Sequence, residues 1–300
     1  MIDLIMLRHC NLLSNVVNYD HLLNHSDVGA CWQAISQREE KRMDAELEVT
    51  RANDHVLLVR INRPHKRNAI NGAIAQGIGA AVKLSEEDPN IRAVVLASTG
   101  EQSFCAGADL AEVAAGNHAA LLTEAGGFAG LIQACRTKPW IVAVDAPAYG
   151  GGLEICLACD LLVASRRASF ALPEVKRGII AAGAGVFRMP RRIAPAVACE
   201  MLVTGEPISA ERAYALGLVN RLVDEGGAVQ AALDMANQIA ECAPVAVQQS
   251  LKIARMAQDL DEQQLFAAMR EAGQVVRQSE DAKEGPRAFL ERRKPVWAGR

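Results

Sequence analysis

Tyr149-Gly150-Gly151-Gly152-Leu153-Glu154 is the stretch from which the rest of the chain can be read. Three consecutive glycines let a backbone turn sharply and approach another segment closely. Their flanks place them. Trp140–Val144 is an apolar run of strand character, and Leu153–Ala158 reads as the start of a helix. A strand, a glycine turn and a helix in succession is the repeating unit of an α/β body. The turn delivers a carboxylate, Glu154, into the first helical turn.

A second carboxylate, Glu174, follows another turn, Ala171-Leu172-Pro173. Upstream lies a third small-residue segment, Ser103-Phe104-Cys105-Ala106-Gly107-Ala108-Asp109-Leu110. Two carboxylates can divide acid and base duties around one water or one carbon. Two small-residue turns can present backbone N–H groups to one developing oxyanion. The combination suits chemistry beside a thioester carbonyl.

Working outward, Val56–Ile61 and Arg92–Ser98 are further strand segments. The unbroken apolar run Val94-Val95-Leu96 belongs to a sheet covered on both faces. Ala69–Leu84 has helical periodicity, a helix is expected near Leu110–Val113, and Leu121–Arg136 is expected to be mostly helical despite Gly126 and Gly127. Leu161–Ala164 and Ser169–Ala171 read as strands, and Leu218–Val223 as a returning strand after a helix capped by Ser209. From Ala228 the pattern is helical throughout, in four segments near 228–241, 245–258, 261–278 and 281–292.

This gives three divisions: an atypical extension over 1–43, an α/β core over 44–227 expected to be the catalytic part, and a helical C-terminal region over 228–300, either a separate layer or an oligomerisation region. The extension holds His9, His21 and His25 without ligand spacing, and a helix is possible from about Val28 to Arg38.

With 300 residues, half of them hydrophobic, the chain can bury a large core. Its formal charge of -3 gives no reason to expect nucleic acid or an anionic membrane surface as partner. The eight cysteines do not make a disulfide framework. Cys156-x-x-Cys159 lacks the second ligand pair that zinc requires, so no metal is expected. No secretory pattern and no long uncharged apolar run is found, which points to the cytoplasm.

The order of these pieces resembles the enoyl-CoA hydratase/isomerase, or crotonase, family. The resemblance runs from about Leu47 to Trp297. It is carried by Ile61-Asn62-Arg63-Pro64 with Asn68-Ala69, by Ser103 through Leu110, and by Gly150-Gly151-Gly152-Leu153-Glu154. It continues in Cys159-Asp160, Pro173-Glu174-Val175, Leu216-Gly217-Leu218-Val219, and Ser279-Glu280-Asp281 through Phe289. The resemblance implies a spiral of ββα units with a helical C-terminal trimerisation region. It also implies a homotrimer, or a hexamer built as a dimer of trimers.

The same resemblance implies the site. Ala108 and Gly151 correspond to the two oxyanion-hole positions, and Glu154 and Glu174 to the two catalytic glutamates of the hydratases. Ala106, Ala108 and Leu110 match a segment lining the path of CoA. Lys66 or Arg67 is placed to meet phosphate, where a cation suits an anionic partner. Phe289 and Arg292 resemble late positions near the CoA of a neighbouring subunit. Asp109 is expected to support a helix start.

Two stretches depart from the family pattern. Asp145-Ala146-Pro147-Ala148-Tyr149 replaces an Asn-Gly-aromatic-Ala-Leu run, and Ala181-Ala182-Gly183-Ala184-Gly185 replaces Pro-Gly-Ala-Gly-Gly. Tyr149 is placed either to hydrogen-bond a substrate or to pack. Keeping both glutamates favours reversible hydration of an enoyl-CoA over isomerisation, with a specialised acyl-CoA dehydratase as the alternative. A non-catalytic CoA-binding role fits less well, since burying two carboxylates is costly. The expected partner is an acyl-CoA substrate, with no cofactor beyond the CoA it carries.

Overall fold

The computed structural model describes residues 45–300. The extension over 1–43, with its histidines and its possible helix, lies outside the described residues. The hairpin β1 (Leu47–Arg51) and β2 (Val56–Ile61) leads through α1 (Gly72–Glu87) to β3 (Ala93–Ser98). Next come α2 (Leu110–Ala114), the two-residue strands β4 (Leu122–Thr123) and β5 (Gly127–Phe128), and β6 (Trp140–Val144). The segment that carries the glycines is β7 (Ala148–Tyr149) and α3 (Gly151–Ala158), followed by β8 (Leu161–Ser165) and β9 (Ser169–Ala171). Then follow α4 (Gly185–Arg192), α5 (Pro195–Thr204), β10 (Ile208–Ser209), α6 (Ala210–Ala215) and β11 (Arg221–Val223). Four helices complete the chain: α7 (Ala228–Ala240), α8 (Pro244–Met256), α9 (Glu262–Gln278) and α10 (Asp281–Leu290).

A six-stranded sheet in the order β1-β2-β3-β6-β8-β11 forms the centre. Only β1 pairs antiparallel; the other neighbours are parallel. The strands are apolar on both faces because both faces are covered. Val59, Ile61, Leu96 and Val142 point to the side packed by α1 and α3. The alternate residues Leu58, Val95, Ala97 and Ala143 point to the side closed by Ala232, Met235 and Ala236 of α7. The first helix of the C-terminal run therefore caps the sheet. A small second sheet, β10-β9-β7, stands beside it, with β7 and β9 parallel.

Local sequence explains the boundaries. Asn71 accepts a hydrogen bond from the Ile74 N–H at 3.0 Å and caps α1, while Ile70 is drawn aside into a bridge with Ala108. The helix therefore begins at Gly72 rather than at Ala69. Ser209 accepts from the Arg212 N–H and caps α6 as expected. The returning strand is confined to Arg221–Val223, because Leu218 and Val219 bond back to the Ala213 carbonyl.

One expectation fails outright. Leu121–Arg136 is not mostly helical; it holds the β4–β5 hairpin and a string of turns. Gly127, Ala129 and Gly130 have φ of 61°, 56° and 65°, left-handed values that interrupt any right-handed helix. Gly130 lies so close to the backbone of α1 that an added Cβ would meet Gly79 N at 2.7 Å. Close approach to another element, not local propensity, shapes this segment.

Candidate active site

The two small-residue turns pack backbone against backbone. The Tyr149 N–H donates to the Cys105 carbonyl at 3.1 Å, and Cys105 bridges Ala148. A Cβ added to Gly107 would lie 2.9 Å from the Gly151 nitrogen, and one added to Gly151 would lie 3.1 Å from the Gly107 Cα. Only glycine allows this approach, and Gly107 also holds a φ of 96°. The contact sets Gly107, the neighbour of Ala108 in sequence, directly against Gly151.

Further bonds fix the first turn. The Ala106 N–H donates to the Arg67 carbonyl, and Ile70 exchanges bonds with Gly107 and Asp109. Asn68, fully buried, donates to the carbonyls of Thr99 and Ser103 and accepts from the Arg63 N–H. Asp109 caps α2 by accepting from the Ala111 N–H, which is its expected role, and pairs with Arg63 at 2.6 Å. The Arg63 hydrogen bond holds the Asp109 carboxyl below its ordinary pKa. Among the described residues, neither the Ala108 nor the Gly151 N–H donates to any acceptor. An unengaged N–H is normal at a helix start such as Gly151. At Ala108, in a turn, it is unusual.

Glu154 projects from the first turn of α3 and is 4% exposed. Its Oε1 accepts from the Gly185 N–H at 2.8 Å. Burial pushes its carboxyl up to about 7; the Gly185 and Gly183 N–H groups and Arg188 oppose the rise, and the charge of Glu174 adds to it. Glu174 is the second residue of the short 3₁₀ turn Pro173–Arg177 and is half-buried. Its Oε1 would lie 3.2 Å from a Cβ on Gly150, so it stands directly over the glycine turn. Its Oε2 is buried and has no partner among the described residues. Burial raises its pKa as well. Two desolvated, electrostatically linked carboxyls favour a state that holds one proton between them.

The other predicted residues divide. Ala106 is exposed at the turn, Leu110 is 60% exposed, and Lys66 and Arg67 are exposed beside it, with Arg67 anchoring the turn through its carbonyl. The Tyr149 hydroxyl lies 3.0 Å from Ser169 Oγ, so a protein group already answers it. Phe289, 82% exposed, and Arg292 lie at the far end of the chain, and no hydrogen bond joins them to the glutamates. Among the described residues no group of three or more His, Cys, Asp or Glu side chains is gathered for a metal. No described helix is long and apolar enough to cross a membrane.

Sequence reasoning missed two contributors. Phe128 presses its ring edge on Gly151, 2.7 Å from where a Cβ would stand. Gly183 and Gly185 hold Glu154, and a Cβ on Gly185 would lie 3.0 Å from its Oε1. The altered Ala181–Gly185 stretch was the available signal for the second.

Known proteins give the same picture. The family model described as enoyl-CoA hydratase/isomerase matches residues 51–300. A carnitinyl-CoA dehydratase of Proteus mirabilis is 40% identical over 251 residues, covering 82% of this chain and 95% of that protein. The crystal structure of an enoyl-CoA hydratase from Mycobacterium tuberculosis superposes with a TM-score of 0.82 at 39% identity, over 86% of this chain and all of that one. That of a carnitinyl-CoA hydratase from Mycobacterium avium gives a TM-score of 0.66 at 42% identity, over 85% of this chain and 99% of that one. With this extent of match and this site, the chain belongs to the enoyl-CoA hydratase/isomerase family and has the crotonase fold.

Proposed function

We propose that this chain adds water reversibly across the 2,3 double bond of an enoyl-CoA, giving a 3-hydroxyacyl-CoA. The observation that carries the reading is the pairing of two unengaged N–H groups, Ala108 and Gly151, with two buried carboxyls around adjoining glycine turns. The N–H groups receive the thioester oxygen as it gains enolate charge. Donors fixed in a rigid turn need no reorganisation during the step, and one such donor is worth roughly 3–4 kcal/mol of transition-state stabilisation.

Glu154, ionised, holds a water and takes its proton as the oxygen bonds to C3. Glu174, in its protonated form, delivers a proton to C2. The reverse reaction moves both protons back. These two side chains supply the whole acid–base requirement, so the reading calls for no metal or redox group. Ala106, Leu110, Lys66 and Arg67 lie along the CoA, with Phe289 and Arg292 serving the site of a neighbouring subunit in a trimer or hexamer. The cytoplasm is the proposed setting.

The names of the relatives favour one refinement: a branched or substituted acyl group dehydrated in a specialised step. A panel of C4 to C16 enoyl-CoAs and carnitinyl-CoA, with every product identified, separates the possibilities. Formation of 3-hydroxyacyl-CoA supports the proposal. A shifted double bond with no hydroxylated product overturns it.

A further inference from the structure

At the opposite end of α3 from Glu154 lies a cavity of about 590 Å³. Its walls come from residues 132–136, the end of α3, α4, and α8 with the turn that follows it. A volume of this size holds a small organic ligand. Five arginines line it, Arg136, Arg188, Arg191, Arg192 and Arg255, against two carboxylates, Asp160 and Asp259. Both carboxylates are already engaged. Asp160 takes two bonds from Arg255 at 2.8 Å and one from the Trp140 N–H, and Asp259 pairs with Arg191 at 2.7 Å.

Arg136, Arg188 and Arg192 reach no carboxylate; each bonds only backbone carbonyls. Part of this is helix capping. Arg136 and Arg192 grip the carbonyls of Leu157, Ala158 and Cys159, at the negative end of α3. A helix C-terminus is equivalent to only about half a negative charge. Arg136 also stands 5.5 Å from the centre of the Trp140 ring, and the charge of Arg188 is felt by Glu154, which leaves an excess of positive charge shared among the three. The mutual cost is visible at Arg188, whose pKa is lowered by burial and then by Arg136 and Arg192. Behind the lining, Arg136 Nε and Nη1 and Arg188 Nη1 are buried without a partner among the described residues. Neutral donors would satisfy the same carbonyls without this mutual repulsion.

We propose that this cavity is a second binding site, separate from the glutamate pair, for a small molecule bearing an oxyanion. Guanidinium groups suit phosphate and carboxylate oxygens, which they meet with two parallel bonds. The apolar part of the ligand has company too. Leu157, Leu251 and Phe187 share the walls, and Phe187 stands 5.9 Å from the Arg191 guanidinium.

The test is calorimetric titration of the full chain with phenyl phosphate and, separately, with hexanoate, against sodium chloride at equal ionic strength. The two arms tell a phosphate site from a carboxylate site. Binding by either probe is expected to persist with CoA at saturation and to weaken about ten-fold or more in Arg188→Gln and Arg191→Gln, the loss of one charge-assisted bond. Arg191 is the safer of the two, being exposed enough for its variant to fold. No heat from either probe up to about 20 mM, ample for the millimolar binding a few kcal/mol would give, overturns the proposal. So does binding that CoA displaces, or that both variants retain in full. None of these outcomes depends on which acyl-CoA is turned over.

Discussion

At Gly107 and Gly151 backbone packs on backbone, whereas Glu174 hangs from a short turn whose following residues, 175–180, are all exposed. The donors proposed for the thioester oxygen are locked by sterics. One of the two proposed acid–base groups rides on an exposed turn held to the end of α5 by the Lys176–Glu206 pair at 2.6 Å. Glu154 lies between these extremes, rooted in a buried helix but held at its tip by the 183–185 loop. The difference teaches where the site tolerates adjustment. On the proposed roles, charge stabilisation is built into the fold and proton transfer is tuned from a loop.

The largest effects should come from the carboxyls. Glu154→Gln and Glu174→Gln are each expected to lower kcat about 10²–10⁴-fold, the usual worth of a positioned acid or base. Melting temperatures should change little or rise, because a buried charge is removed. Near-normal turnover in both variants would break the contrast between donors and proton carriers.

A second break targets the locked side. Gly151→Val should drive its side chain into Phe128 and Gly107 and cost about 10²–10³-fold in kcat, comparable to losing an oxyanion donor. Circular dichroism separates this from unfolding, with Phe128→Ala as a companion that relieves one of the two clashes. If the double variant recovers no activity, Phe128 is not the limiting neighbour and the backbone contact is.

A third sharpens the role of burial. The Glu154 carboxyl rises from 4.5 to about 7 on folding. The folded state therefore binds its proton more tightly than the unfolded chain. Its contribution to stability is full below pH 4.5 and is lost as pH climbs towards 7, by about 3 kcal/mol. Urea melts across that window should show the decline, and Glu154→Gln should flatten it. Glu174, whose pKa also rises, adds in the same direction, and Arg188 opposes. Because the proposed role requires Glu154 ionised to take a proton from water, its contribution to kcat/KM should increase with pH through about 7.

The smallest effect tests the loose side. Gly178 has a φ of 72°, and an added Cβ would meet nothing within 4 Å. Gly178→Ala should cost only the strain of that conformation, about 1 kcal/mol, and leave kcat within about two-fold. A large loss of activity would mean the 175–180 loop is as constrained as the glycine turns.

How much of this the sequence disclosed follows the same divide. The sheet strands were legible because Val94-Val95-Leu96 and Trp140–Val144 carry their own signal, an apolar run with no charge. The glycine turns were legible because three glycines before a carboxylate admit few uses. Asp109 and Ser209 were legible as caps, which act within a few residues. The β4–β5 hairpin was not, because Leu121, Leu131 and Ile132 fall at intervals a helix also shows, and what prevents the helix is Gly130 meeting α1, a neighbour about fifty residues back. The grip of the Gly185 N–H on Glu154 was hidden for the same reason. The Tyr149 hydroxyl, open between substrate and packing, found Ser169 across a strand pair that no local pattern specifies.

The contact between Phe128 and Gly151 carries a lesson for anyone reshaping this enzyme. Libraries randomised across the glycines would yield mostly inactive clones, since one methyl on Gly151 or Gly152 collides with an aromatic ring or main chain, and Gly150 holds a left-handed φ of 56°. Diversity is better spent on Phe128 itself and on the solvent-facing positions 175–180. There, altered bulk leaves the amides proposed to bind oxygen where the scaffold put them.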